Sequence, residues 1–219
     1  MYLDLPLEVW SRVVTHADPV STGILYDVSV GLRREVMERL RAHPTTIEQA
    51  MKADVPILMR TALHENCTDF EIKILIDLAY AERSWRVLVH CLARHSSTYA
   101  CSKLINGGCF GQAAMVSRDS EDIRLNGPVH WALQLYMTRD PEPRSQVLSN
   151  ILSDCAYGYQ RMREYLEVVH ARDIPNLLQS ALDNEFPFRS LCDVFSLKRR
   201  KIIQYYLLQC SVGKLTNRK

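Results

Sequence analysis

The chain is short of the residues that interrupt helices. Among 219 residues only 8 are glycine and 9 are proline, and the prolines fall mainly at apparent segment starts, where a missing N–H costs nothing. Alternation of period two, the mark of a half-buried strand, is nearly absent. No apolar run approaches the roughly 18 residues that a bilayer-spanning helix needs, so no membrane partner is expected. Nor does one sign of charge dominate. Lys and Arg number 27 against 25 Asp and Glu, a formal net charge of +2. That balance argues against a dedicated surface for nucleic acid or anionic membrane.

Paired cysteines are missing too. The seven cysteines stand at 67, 91, 101, 109, 155, 192 and 210, an odd number with irregular spacing and no C-x-x-C. The opening MYLDLPLEVW carries no basic flank followed by an apolar core, so no secretory leader is expected. Reduced core cysteines in a soluble, intracellular protein follow from that reading, with the cytoplasm, the nucleus or both as the compartment.

What is abundant is apolar residues at helical spacing. Hydrophobic residues make up 47% of the chain, and they recur at three and four almost throughout. Val28, Leu32, Val36 and Leu40 form one stripe; Met162, Tyr165, Leu166 and Val169 form another. Such spacing places side chains on one helix face. The expected fold is all-α. Turns are expected at Asp18-Pro19, His43-Pro44, Gly107-Gly108, Asn126-Gly127-Pro128 and Asp140 to Pro143. Helices are expected over 6–17, 27–41, 55–65, 69–81, 85–94, 98–106, 128–138, 144–155, 158–170, 173–184 and 198–210. Asp54, Thr68, Asp69, Ser84 and Asp173 stand just ahead of apolar-periodic runs, where a side-chain oxygen caps exposed N–H groups. Short helices with short links predict irregular, solenoid-like αα-hairpins. No repeat period holds in sequence. Pro56 to Leu63 and Ile202 to Leu208 are weakly ankyrin-like, but the T-P-L-H signature is missing.

The most informative stretch runs from Leu5 to Val36. It reads as three short helices with a shared apolar face. Pro6 suits a first helical turn, Leu5, Val9, Val13 and Val14 line one side, and Asp18-Pro19 stops the helix because proline pushes its predecessor out of α geometry. A short apolar segment around Ile24-Leu25 follows, and then the helix from Val28. About 40 residues lie at the limit of independent stability, so such a face calls for a partner.

Those residues resemble the F-box family. Its opening Leu-Pro, Glu and aliphatic residue are matched by Leu5-Pro6-Leu7-Glu8-Val9. Its Asp-Pro, thirteen residues after the first proline, is matched by Asp18-Pro19. Its Val-Ser pair, nine residues further, is matched by Val28-Ser29, and the large apolar residue and Arg that follow by Leu32-Arg33. The anchors fall in register without a gap. Ala17 and Leu32 depart from the usual Leu and Trp, and Val20-Ser21-Thr22-Gly23 is unusually polar for the second helix. The resemblance implies an F-box over 1–43, an α-helical substrate- or partner-binding domain over 44–219, and no enzymatic role. It implies binding to a Skp-type adaptor, and through it a cullin ubiquitin ligase, by Leu5, Pro6, Val9, Val13, Leu25, Val28 and Leu32. An unidentified target protein would be held by the rest of the chain. Short F-box proteins of this kind include viral and bacterial proteins that redirect a host ligase. The alternative is a helical-repeat scaffold without any ligase link, whose first helices cap the stack.

Other constellations point to packing rather than chemistry. Cys91 and His95 share a helix face, but a zinc site needs four ligands, usually in two close pairs, and no second pair follows. No metal, cofactor or catalytic residue is expected. Gly107-Gly108-Cys109-Phe110-Gly111 lacks the Lys-Ser or Lys-Thr of a phosphate-cradling loop and reads as a turn. Lys198-Arg199-Arg200-Lys201 fits a nuclear import signal or, more simply, the solvated face of a last helix.

Overall fold

The structure, a computed structural model, describes residues 6–28, 30–63, 67–120, 123–125, 127–155 and 159–183. Among them the chain forms thirteen α-helices, three short 3₁₀ turns and no strand. The protein is all-α. The helices are α1 Leu7–His16, α2 Pro19–Val28, α3 Arg33–Ala42, α4 Ile47–Ala53, α5 Pro56–Ala62, α6 Asp69–Ala81, α7 Trp85–His90, α8 Ser97–Asn106, α9 Phe110–Asp119, α10 Gly127–Met137, α11 Pro141–Cys155, α12 Tyr159–Val168 and α13 Ile174–Asp183.

The chain divides into two compact units, one of residues 1–103 and 115–123, the other of 104–114 and 124–219. In the first, successive helices pack in pairs: α2 on α3, α4 on α5, α6 on α7. Leu32, Val36, Leu40, Leu58, Met59, Ile76, Leu88 and Leu92 are buried there. Two of its helices open on capping boxes. Thr46 accepts from the Gln49 N–H at 3.2 Å while Gln49 Oε1 accepts from the Thr46 N–H at 3.0 Å. Thr68 and Glu71 repeat the device at 3.3 and 2.8 Å. Each cap is worth about 1 kcal/mol, which matters most for α4, a helix of 7 residues too short to hold itself in water.

In the second unit α10, α11 and α12 pack against one another, and α13 packs on α11. Leu133, Ile151, Met162, Tyr165, Leu166 and Val169 close its interior. Asp173 is buried and pairs with Arg144 at 2.7 Å. The same guanidinium donates to the carbonyls of Leu135 and Thr138, at 3.0 Å each. The pair therefore ties the end of α10 to the entry of α13. Tyr165, wholly buried, donates its hydroxyl to Asp154 at 2.6 Å; burial first, and that bond second, push its phenol pKa up.

Several expected boundaries move. α2, expected as a short second helix marked by the apolar segment around Ile24-Leu25, runs in full from Pro19 to Val28, and α4 and α9 were not expected at all. The helix expected over 27–41 is split: Val28 closes α2, and a 3₁₀ turn over Val30–Leu32 leads into α3. Helices expected to 65 and 94 end at Ala62 and His90. Thr68 caps α6 as its sequence context predicts. Asp54, expected to cap the following helix, instead caps α7 from a distance, accepting from the Arg86 and Val87 N–H groups at 3.1 and 2.9 Å. Ser84 stands at the N-cap of α7, but its hydroxyl donates to the buried Met51 carbonyl at 2.7 Å. Asp173 is taken up by Arg144. The expected helix over 198–210 lies outside the described residues.

Candidate docking site

The first three helices are held by bonds that orient them inward on one side and leave the other side bare. Pro6 takes the N-cap of α1, with its carbonyl accepting from the Val9 and Trp10 N–H groups at 3.0 and 3.2 Å. α1 ends where Ala17 turns extended at ψ 147°. Asp18 then caps α2 through the Val20 and Ser21 N–H groups at 2.9 and 3.1 Å. The Ser21 hydroxyl, and then its N–H, hold the Asp18 carboxyl below its ordinary pKa. Thr22, buried, donates to the Asp18 carbonyl at 2.8 Å. Arg39 of α3 donates to the Ala17 carbonyl at 2.9 Å and locks the α1–α2 corner.

The rest of the first unit fixes α2 from below. A Cβ on Gly23 would stand 2.9 Å from Val55 Cγ1 and 3.0 Å from Leu58 Cγ, so only glycine lets α2 lie this close to α5. Asp27, near the end of α2, pairs with Arg86 of α7 at 2.6 Å.

These constraints sort the apolar side chains into two sets. Val14 is 2% exposed, and Leu32, Val36 and Leu40 are buried beside it in the core of the unit. Val9 and Val13, one turn apart on α1, are 41% and 40% exposed; Ile24 on α2 is 47% and Val30 is 75% exposed. Pro6 is exposed as well, and Leu25 is half-buried.

Of the residues that the sequence marks for adaptor binding, Pro6, Val9 and Val13 thus lie open along α1. Leu32 points into the core instead, buried with Val36 and Leu40 of the same stripe, which packs inside the unit and leaves Leu32 no surface for a partner. Leu5 lies outside the described residues, as does the side chain of Val28, which ends α2. Lys198, Arg199, Arg200 and Lys201 lie outside them too. Sequence reasoning missed Val30. It also missed a second bare stripe, on α6, where Phe70, Ile74 and Leu78 are exposed one turn apart. The spacing of four was legible. α6 is apolar on its other face too, with Ile72, Leu75, Ile76 and Ala79 buried, and its polar stripe of Asp69, Lys73 and Asp77 runs between the two apolar faces, so it marks neither as the outward one.

Cys91 is buried, and burial pushes its thiol pKa up to about 11; that disfavours the thiolate a nucleophile needs. Among the described residues no three His, Cys, Asp or Glu side chains gather as a metal site would need, and no helix is long and apolar enough to cross a membrane. Gly107 and Gly108 form the turn between α8 and α9, Gly108 in the left-handed region at φ 77°. No family model, curated protein or solved structure matches the chain.

Proposed function

We propose that the chain is a non-enzymatic receptor whose first helices dock, in the manner of an F-box, on a Skp-type adaptor and so bring a target protein to a cullin ubiquitin ligase. The observation that carries the reading is the bare α1 stripe of Val9 and Val13, exposed beside Pro6 in the register of the F-box anchors. Each aliphatic side chain fully buried by a partner contributes about 1.5–3 kcal/mol, and a few at the centre of a contact dominate its affinity. Ile24 and Val30 add exposed apolar surface on the next elements. The Phe70–Ile74–Leu78 stripe of α6 supports a separate place for the target. In this reading the chain performs no chemistry and works in the cytoplasm or nucleus, where the ligase acts.

A scaffold without any ligase link is favoured by one observation of its own. α2 and α3 pack on α5, with Gly23 pressed against Val55 and Leu58, which is how the end of a helical stack is closed.

Purified full-length chain and a purified Skp-type adaptor, mixed and resolved by size-exclusion chromatography, separate the two. The receptor reading expects a stoichiometric complex that Val9→Asp/Val13→Asp abolishes while the circular dichroism spectrum stays unchanged. Failure of the native, folded chain to bind the adaptor would leave the scaffold.

A further inference from the structure

A cavity of about 440 Å³ in the first unit is lined by Arg60, Leu63, Cys67, Ile72, Cys91, Arg94 and His95. Its chemistry is one-sided. Arg60 and Arg94 stand at its rim with His95, and among the described residues its lining contains no carboxylate. Among the described residues neither arginine has an acidic ion-pair partner. Arg60 is nevertheless held in place: its guanidinium donates to the His90 carbonyl at 3.0 Å. A tethered guanidinium still has N–H donors to spare, in a fork that matches carboxylate and phosphate oxygens. Beneath the rim, Leu63, Ile72 and Cys91 supply apolar wall. Concave sites with an apolar lining and a few convergent polar groups are where ligands bind.

We infer that this cavity binds an oxyanion, phosphate or carboxylate, presented by a peptide whose apolar neighbour fills the Leu63–Ile72 wall. Two arginines that have no acidic ion-pair partner among the described residues supply charge-assisted hydrogen bonds, the stronger kind, and the apolar wall distinguishes a peptide from a bare ion. The inference stands apart from the adaptor-docking reading, since it uses none of the α1 or α2 residues.

The test is NMR on the full chain, following arginine Nε–H and leucine and isoleucine methyl signals. The probes are a capped Leu–phosphoserine–Leu tripeptide, its glutamate and serine counterparts, and inorganic phosphate. The phosphoserine and glutamate peptides should shift the Arg60 and Arg94 signals together with the Leu63 and Ile72 methyls, while the serine peptide should not. Arg94 is exposed, so Arg94→Gln should leave the fold intact and weaken binding about tenfold or more. Silence of both arginines toward every probe would overturn the inference. So would unchanged binding in Arg94→Gln. Phosphate binding as tight as the peptides, with the two methyls silent, would overturn the peptide assignment and leave a bare-ion site.

Discussion

Asp54 ends α4 in the left-handed region, at φ 51°, and turns its carboxylate onto Val87, whose N–H it meets at 2.9 Å. One residue therefore closes one helix and opens another. α7 has 6 residues, too few to form unaided, and Ser84 at its N-cap has spent its hydroxyl on Met51. The first N–H groups of α7 depend on Asp54.

Two substitutions separate the jobs of Asp54. Asp54→Gly keeps the left-handed turn at no steric cost and removes only the remote cap. Loss of about 1 kcal/mol is expected, within the range for lost N-caps. Asp54→Ala adds the cost of left-handed geometry, roughly 1–2 kcal/mol more. Urea unfolding midpoints should fall in the order native, Gly, Ala. A Gly variant as stable as the native chain would show that the long-range cap contributes nothing.

Gly23 sets two general rules against each other. Helix propensity favours Gly23→Ala by up to about 1 kcal/mol. Space opposes it, because the new Cβ would sit 2.9 Å from Val55 Cγ1. Overpacking of this kind costs about 1–3 kcal/mol, so the variant should be less stable. Adding Val55→Ala to it should return part of the loss, a non-additivity that a double-mutant cycle on melting temperature reads directly. A simple gain from Gly23→Ala would mean that α2 does not press on α5.

Much of the fold was legible because its helices carry their own punctuation. α6 matches its expected span residue for residue, with Thr68 capping where the sequence places it. The failures share a cause. The full length of α2 was hidden because Val20-Ser21-Thr22-Gly23 is unusually polar for a second helix; in the structure Asp18 binds Ser21, Thr22 back-bonds to the Asp18 carbonyl, and Gly23 admits α5. Asp54 and Asp173 looked like local caps but serve partners 33 and 29 residues away. Periodicity reports only neighbours along a helix. The exposed stripe on α1 was legible as apolar spacing. That Val14 turns inward while Val13 turns outward is decided by α3, which no local pattern records.

The buried thiols give the stability a limit at high pH. Burial pushes Cys91 up to about 11 and Cys101 and Cys155 up to about 12. An acid whose folded pKa lies above its unfolded value favours the folded state while it is neutral. That contribution is whole below the ordinary thiol pKa, near 9.0, and is lost as pH rises through the folded values. Denaturation midpoints should therefore hold between pH 7 and 8.5 and decline from about pH 9 upward. Iodoacetamide at pH 8, followed by peptide mapping, should label Cys67 before Cys91, Cys101 or Cys155. Early labelling of Cys101 in the native chain would contradict its burial.

Val13 and Val14 are adjacent in sequence and opposite in consequence. Val14→Asp places a charge in the core that Val36 and Leu40 share, and an unpaired buried charge costs several kcal/mol; the variant should unfold or melt far lower. Val13→Asp changes a side chain 40% exposed, and surface substitutions of that sort usually stay within about 0.5 kcal/mol. Its melting temperature should match the native chain. If the α1 stripe is a docking face, the same Val13→Asp should weaken adaptor binding at least tenfold, since burying an unpaired carboxylate opposes association as strongly as it opposes folding. Retained stability with lost binding marks a surface kept apolar for a partner. Retained stability with binding unchanged would remove α1 from the interface.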